Sequence, residues 1–308
     1  MIYTVTLNPA IDYVVTMDQL NKGTLNRTLS EQFYAGGKGI NVSQILNEHE
    51  LNNMALGFIS GFTGVFIENS LAEKGIKTDF VHLTKGYSRI NLKAKTASEE
   101  TEINGLGPMV TPAAIEAFFL KLAQLQENDV LILAGSLAPG LPDNFYEQIM
   151  KKLQQKSIKI VVDSTKNTLL NTLKYEPFLI KPNHHEIAEM FEVEINTIAE
   201  LLTYGHKLKE MGAQNVLISM GGAGAFLISE NGEIYQSNVP KGVVKNSVGA
   251  GDSMVAGFIA GYLKTKQYEE ALRLGAASGS ATAFSSDVAK MADIKKIVNV
   301  IQVKKVVR

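Results

Sequence analysis

Residues 2–8, IYTVTLN, alternate apolar and polar positions at the period of two that predicts a strand. Glycines at 36, 37 and 39 then lead into NVSQIL, where Val42, Ile45 and Leu46 share one face at helical spacing. From Met54 the chain alternates short apolar runs with amphipathic stretches. MALGFIS precedes FIENSLAEKG, and AAIEAFFLKLAQL places Ile115, Phe118, Phe119 and Leu122 on one helical stripe. DVLILAG, FYEQIMKKL, IKIVVD, LLNTL, FLIKPN, HEIAEMF and AQNVLISMG continue the rhythm. Strand and helix in alternation predict an α/β fold with a mainly parallel sheet covered on both faces.

Two segments, 12–34 and 87–105, break that rhythm with short strands of polar alternation and no helical stripe between them. In SRINLKAK, Ile90, Leu92, Ala94 and Thr96 fall on one side of a strand and Asn91, Lys93 and Lys95 on the other. These segments predict a small discontinuous β lid inserted in a single domain spanning 1–308, the alternative being surface hairpins with no function. There is no internal repeat, low-complexity tract or separate C-terminal domain.

Composition narrows the chemistry. The 308 residues are 45% hydrophobic, enough for a substantial core, and the net charge of −1 gives no electrostatic reason to expect nucleic acid or an anionic membrane as partner. With no cysteine, disulfides, thiolate catalysis and thiolate zinc sites are excluded. The opening residues lack the basic and apolar regions of a secretory signal, and no apolar run approaches the roughly 18 residues of a membrane span. The expected address is cytoplasmic.

Three glycine-rich stretches are candidates for anion binding. YAGGKGIN at 34–41 lacks the leading glycine and trailing hydroxyl residue of a P-loop, and SMGGAGAF at 219–226 runs into a second strand instead of a helix, which excludes a dinucleotide fingerprint. NSVGAGDSMVAG at 246–257 is different. Gly249 and Gly251 stand where a helix begins, and Gly257, Ala260 and Gly261 allow that helix to pack closely against its neighbour. A helix start exposes unpaired N–H groups and the positive end of the dipole, and glycines let an oxyanion approach. Asp252 would repel a phosphate, so its use beside such a cradle is to remove a proton from an attacking hydroxyl. The competing explanation is an ordinary acidic residue in a helix's first turn.

Taken together, AGGKGINVS (35–43), LAGSLAPG (133–140), VVDST (161–165), LIKPNHHEI (179–187), ISMGGAGA (218–225) and NSVGAGDSMVAG resemble, in order and along the whole chain, the ribokinase-like or PfkB family of carbohydrate kinases. TLNPAID, GGKG, SRINLKAK and TEINGLGP look most like the bacterial members that act on fructose 1-phosphate, with those acting on tagatose 6-phosphate as runner-up. Ser88, Leu106 and Ala138 depart from the commoner Thr, Pro and Pro, and bear on the choice of sugar.

The resemblance implies a ribokinase-like three-layer α/β/α core with a mainly parallel sheet plus a small inserted β-sheet lid. It implies MgATP-dependent phosphorylation of fructose 1-phosphate at the 6-hydroxyl, with Asp252 as base and the amides of Gly249, Ala250 and Gly251 as anion hole. It assigns Asp12 and Asn41 to sugar hydroxyls, with Gly36 and Gly37 permitting close approach and Asn91 and Ser136 assisting. Lys38 and Arg89 are the cations chosen for the sugar phosphate, and Arg27 a further one, from a partner subunit. Asn183 and Glu186 belong near ATP and Mg²⁺, reached through water. Ser219, Gly221, Gly222 and Gly224 belong to the nucleotide phosphates or ribose, and Ser280 or Phe284 to the adenine. His184 and His185, adjacent on a helix, point apart and make a poor metal pair, so zinc is not expected. A homodimer through the lid is expected, and a sensor that binds sugar phosphate and nucleotide without turnover is the alternative from another class.

Overall fold

The computed structural model of the chain describes residues 1–306. Its main sheet has 11 strands. It runs from Val303–Val306 through Ile234–Ser237, Ala225–Ile228, Val216–Ser219, Leu179–Ile180, Lys159–Asp163, Val130–Ala134 and Ile2–Thr6 to Asn53–Ser60 and Lys77–Thr78, with Val81–Leu83 beside Asn53–Ser60. Pairing is parallel from Val216–Ser219 to Lys77–Thr78 and between Asn53–Ser60 and Val81–Leu83, and antiparallel from Val216–Ser219 outward through the other three strands. The runs that read as nearly continuous apolar stretches are the central strands, as burial on both faces requires.

Period-two geometry divides each strand between two cores. Val5, Leu131, Leu133, Val162 and Ile218 face one layer with Phe118, Phe145 and Ile149. Ile2, Ile132, Val161 and Leu217 face the other with Val42, Ile45, Val255, Phe258 and Ile259. Each such buried side chain contributes about 1.5–3 kcal/mol relative to exposure. The layers are therefore helix, sheet, helix, as expected. Among the described residues, no helix is long and apolar enough to cross a membrane.

The segments that broke the alternation form a separate four-stranded sheet in the order Ser30–Gly36, Ala10–Thr16, Arg89–Lys95, Glu100–Asn104. Its register sets Asp12 beside Asn91 and Tyr13 beside Leu92. Phe33 and Ile103 extend the latter row on either side, being paired with Tyr13 and Leu92. One face of the lid is thus polar at its centre and the other aromatic and aliphatic. The centre of the polar face is covered, with Asn91 and Lys93 8% and 6% exposed; the other face buries Val15, Met17 and Ala94 but leaves Phe33 53% and Ile103 61% exposed.

Helices Ala250–Thr265 and Tyr268–Ala283 pack with their backbones nearly in contact. A Cβ on Gly257 would collide with Ser278 Oγ and lie 2.5 Å from the Leu274 carbonyl oxygen, and one on Gly261 would lie 2.8 Å from Ala271 Cα. The small residues of this stretch hold the first helix down, and its N-terminus with it. Gly257→Val should therefore lower stability by about 1–3 kcal/mol, the usual range for overpacking. A lower urea midpoint checks this.

Candidate active site

All the parallel strands end on one side of the sheet, and the segments that leave them there meet the lid. Between them lies a cleft of about 650 Å³. Asp12, Gly37, Lys38, Asn41, Arg89, Asn91, Asn183, Glu186, Ser219, Gly221, Gly222, Gly249, Ala250, Gly251, Asp252 and Ser280 all line it. A cavity of about 340 Å³ adjoins it, sharing Gly37, Lys38 and Arg89 and adding Ser136 with the hydroxyls of Thr6, Ser164, Thr165 and Thr168.

Gly249 is the N-cap of helix Ala250–Thr265, at φ 78°, a left-handed conformation that glycine adopts without strain. The helix then begins at Ala250 with Asp252 in its first turn. The Ala250 amide donates to the Ser247 carbonyl over 3.3 Å, a long bond that a phosphoryl oxygen would compete for. Asp252 is 5% exposed, and Asn41 Nδ2 donates to its Oδ2 at 2.8 Å. Burial pushes the Asp252 carboxyl up to about 6, the Asp163 carboxylate adding to the effect while Lys38, the Asn41 hydrogen bond and Lys181 oppose it.

Asp163 and Lys181 are the residues the sequence reading left without a role, although both stand in quoted stretches. Asp163 ends one parallel strand, Lys181 follows the next, and both are buried. Lys38 Nζ lies 3.0 Å and Lys181 Nζ 3.5 Å from Asp163 Oδ1. Burial alone would raise the Asp163 carboxyl, but the two ammonium groups outweigh it and hold it below its ordinary value. Burial likewise works to lower Lys38, and Asp163 with Asp252 reverses that, holding its ammonium above the usual range. A Cβ on Gly251 would come within 3.1 Å of Lys181 Nζ, so this cation stands beside the helix start. The carboxyl ends of parallel strands are where such residues gather in open α/β sheets, and this rule could have picked out both.

Other expected residues fall into place differently. Asn41 is committed through its amide to Asp252, so it orients the acid as well as facing the cleft. Gly36 does not line the cleft; a Cβ there would lie 2.7 Å from Asp12 Oδ2, so its bareness admits the Asp12 side chain. Gly224 likewise stands outside the cleft, at φ 94° with the Ser237 carbonyl oxygen where its Cβ would need room, and shapes the turn instead. Ser136 belongs to the adjoining cavity. Arg27 is exposed in the connection after Ala10–Thr16 and lines neither cavity. His184 and His185 do not point apart: their ring centroids are 3.8 Å from each other.

Arg89 donates from Nε to the Asn8 carbonyl at 3.0 Å, which leaves its terminal nitrogens for a ligand. Burial lowers its guanidinium, with Asp12 opposing, from a starting value so high that it stays charged. Asn183 and Glu186 form a capping box: Glu186 N donates to Asn183 Oδ1 and Asn183 N to Glu186 Oε2, each at 2.8 Å. Asn183 Oδ1 is thus engaged, whereas Glu186 keeps an oxygen facing the cleft and Asp163 Oδ2 is buried without a partner. These are hard oxygen donors of the kind Mg²⁺ takes beside retained water.

The profile described as pfkB family carbohydrate kinase matches residues 5–295. The chain is 49% identical over 288 residues to a 1-phosphofructokinase of Bacillus subtilis, covering 94% of each chain. It is 36% identical to a D-tagatose-1-phosphate kinase of Bacillus licheniformis, covering 98% of this chain and 99% of that one. Among solved structures, phosphofructokinase-2 from Escherichia coli in complex with substrates and products superposes with a TM-score of 0.92 at 25% identity, covering 97% of this chain and 98% of that one.

The raised carboxyl has a thermodynamic signature. A buried acid whose folded value lies near 6 against an ordinary 3.8 contributes stability that is complete below the unfolded value and lost as pH rises through 6. Asp252→Asn removes that loss. At pH 8 the variant should be more stable than the wild type by up to about 3 kcal/mol, because every pH unit separating the folded from the unfolded value is worth about 1.36 kcal/mol. The difference should shrink to nothing as pH falls toward the unfolded value, which urea unfolding across pH checks.

Proposed function

The chain belongs to the pfkB family of carbohydrate kinases, and from that premise we propose that it transfers the γ-phosphoryl group of ATP to the 6-hydroxyl of fructose 1-phosphate, giving fructose 1,6-bisphosphate and ADP. The observation that carries the proposal is the buried Asp252 carboxylate in the first turn of a helix whose glycine-lined start opens on the cleft.

Above pH 6 Asp252 is ionised and accepts the proton of the 6-hydroxyl as that oxygen attacks phosphorus; the bond to the ADP oxygen breaks. Asn41 keeps the carboxylate aimed while this happens. A carboxylate poised near 6 is a stronger base than an ordinary aspartate yet remains mostly deprotonated at neutral pH, the range in which general bases work best. The amides at Gly249, Ala250 and Gly251 and the Lys181 ammonium meet the charge on the transferring group. Mg²⁺, held by Glu186 through water with Asp163 close by, would supply charge neutralisation of the triphosphate. Ser219, Gly221 and Gly222 border the same cleft on the nucleotide side, with Ser280 and Phe284 beyond the helix start.

At the far end, Arg89 and Lys38 separate the cleft from the adjoining hydroxyl-lined cavity. We assign the 1-phosphate to that end, with Ser136 beside it. The lid, closing over both ligands, would exclude the water that competes with the sugar for the phosphoryl group. Its outer row of Phe33, Tyr13, Leu92 and Ile103 is the surface we assign to a homodimer, since an exposed row of this kind is stabilised by burial against a second copy. ATP as phosphoryl donor fits a cytoplasmic address.

Coupled ADP release tests the substrate. Fructose 1-phosphate should be used in preference to tagatose 6-phosphate and fructose 6-phosphate, and unphosphorylated ketoses hardly at all; preference for a 6-phosphate would reassign the acceptor, and absence of turnover with every sugar would leave the sensor. Asp252→Asn should lose roughly 10²- to 10⁴-fold in kcat. Arg89→Ala should raise the KM for the sugar phosphate by about tenfold or more, one or two charge-assisted hydrogen bonds, while that for ATP stays put. Phe33→Asp should turn the dimer into monomers in sedimentation equilibrium; an unchanged mass would clear the lid of that role.

A further inference from the structure

Lys93 lies in the lid strand Arg89–Lys95, is 6% exposed and faces the cleft. Its Nζ is 3.2 Å from Asp12 Oδ2. Across the strand pair its register partner is Glu102, but the ammonium reaches the other way, to the neighbouring strand. Asn91, two residues earlier on the same face, donates from Nδ2 to Asp12 Oδ1 at 3.0 Å. Both Asp12 oxygens are therefore held by one strand, in a gap that the missing Cβ of Gly36 provides. Asn91 Oδ1 is buried and has no partner.

A buried ammonium and carboxylate are a weak device for stability, since well-packed apolar residues of similar size often do as well or better. What such a pair does provide is a fixed acceptor direction. Asn91 Oδ1 adds a second acceptor, and a buried acceptor left unpaired is unfavourable until a donor arrives. Two immobilised acceptors with a cation behind them match two neighbouring sugar hydroxyls, each of which has one proton to give.

Resting on the ketose-phosphate reading, we propose that Lys93 is a positioning residue that determines which ketose the cleft accepts, by fixing Asp12 so that Asp12 and Asn91 together discriminate the configuration at C4. Fructose 1-phosphate and tagatose 1-phosphate carry the same charge and the same phosphate position and differ only there. Arg89 and Lys38, which serve the phosphate, cannot tell them apart. A directed hydroxyl contact can, because the wrong epimer leaves buried polar groups unpaired.

The experiment measures kcat/KM for both 1-phosphates, and KM for ATP, on the full chain and its variants. Turnover of either 1-phosphate by the wild type establishes that the chain is a ketose-1-phosphate kinase. An active wild type should prefer fructose 1-phosphate by about tenfold or more; equal use of the two epimers overturns this proposal and leaves the kinase standing. Lys93→Met should bring the ratio to within about twofold of unity, through KM for the sugar more than through kcat, with KM for ATP unchanged. Lys93→Arg should restore most of the preference. Lys93→Gln gives the same comparison if the methionine variant does not fold. Retention of the wild-type epimer ratio in Lys93→Met or Lys93→Gln, or a proportional rise in KM for ATP, would reduce Lys93 to a structural ion pair.

Discussion

Two carboxylates and two ammonium groups meet at the base of the cleft, Asp163, Asp252 and Lys181 buried and Lys38 partly exposed, and the electrostatics there depend on their balance. Asp163 is inaccessible to water yet stays ionised because Lys38 and Lys181 flank the same oxygen. Its negative charge then acts on Asp252, reinforcing the effect of burial and making that carboxyl harder to ionise. Without the lysines, the two acids could not both be charged in so low a dielectric. Without Asp163, Asp252 would be a weaker base facing two uncompensated cations. A pair broken on one side in such a setting typically costs about 3–5 kcal/mol, so these residues bind the fold and the reactivity together.

The backbone brings those charges into one place by two separate means. Parallel strands deliver Asp163 and Lys181 from the sheet, because consecutive strands running the same way end side by side. Helix packing delivers Asp252. The close crossing at Gly257 and Gly261 keeps the helix low enough for its first turn to reach the sheet's edge, and Gly249 supplies the left-handed residue that starts it there. The lid then adds a third wall whose polar centre lines the cleft. This puts Asn91 and Lys93 under cover, while Phe33 and Ile103 stand exposed at the edges of the other face.

Much of this was legible from local pattern. Alternation and helical stripes revealed the layers, the break in rhythm at 12–34 and 87–105 marked the second sheet, and glycines 249 and 251 marked the helix start at which Asp252 stands. What could not be read locally was pairing. Lys38 and Asp163 are 125 residues apart and Asn41 and Asp252 are 211 apart, and neither contact leaves a trace in either segment's own periodicity. Asp163 closes an apolar run, where it looks like the first polar residue of a loop. Nothing in GGKGIN indicates that the Asn41 amide holds Asp252 as well as facing the cleft. The two histidines misled for a related reason: helical spacing sets where side chains leave the backbone, and rotamers at the first turn still let neighbouring rings meet.

Under the proposed assignment of the sugar phosphate to Arg89 and Lys38, the commitment of Lys38 changes how phosphate recognition is divided. An ammonium held 3.0 Å from a buried carboxylate is partly neutralised, so it offers less to an incoming phosphate than a free lysine would. Arg89 is placed to take the larger share. Its Nε is anchored to a backbone carbonyl, which fixes the plane of the guanidinium without using charge against charge, and its remaining donors point from a rigid fork. The division is consistent with the two ends of the cleft doing different work. Where charge must change during reaction, the cations are paired and buffered; where a substrate phosphate must be held, the strongest cation is left with open donors. On the proposed function, a near-neutral chain would thereby bind two highly charged ligands without a basic surface, because the positive charge is local and is kept in reserve by its own carboxylates.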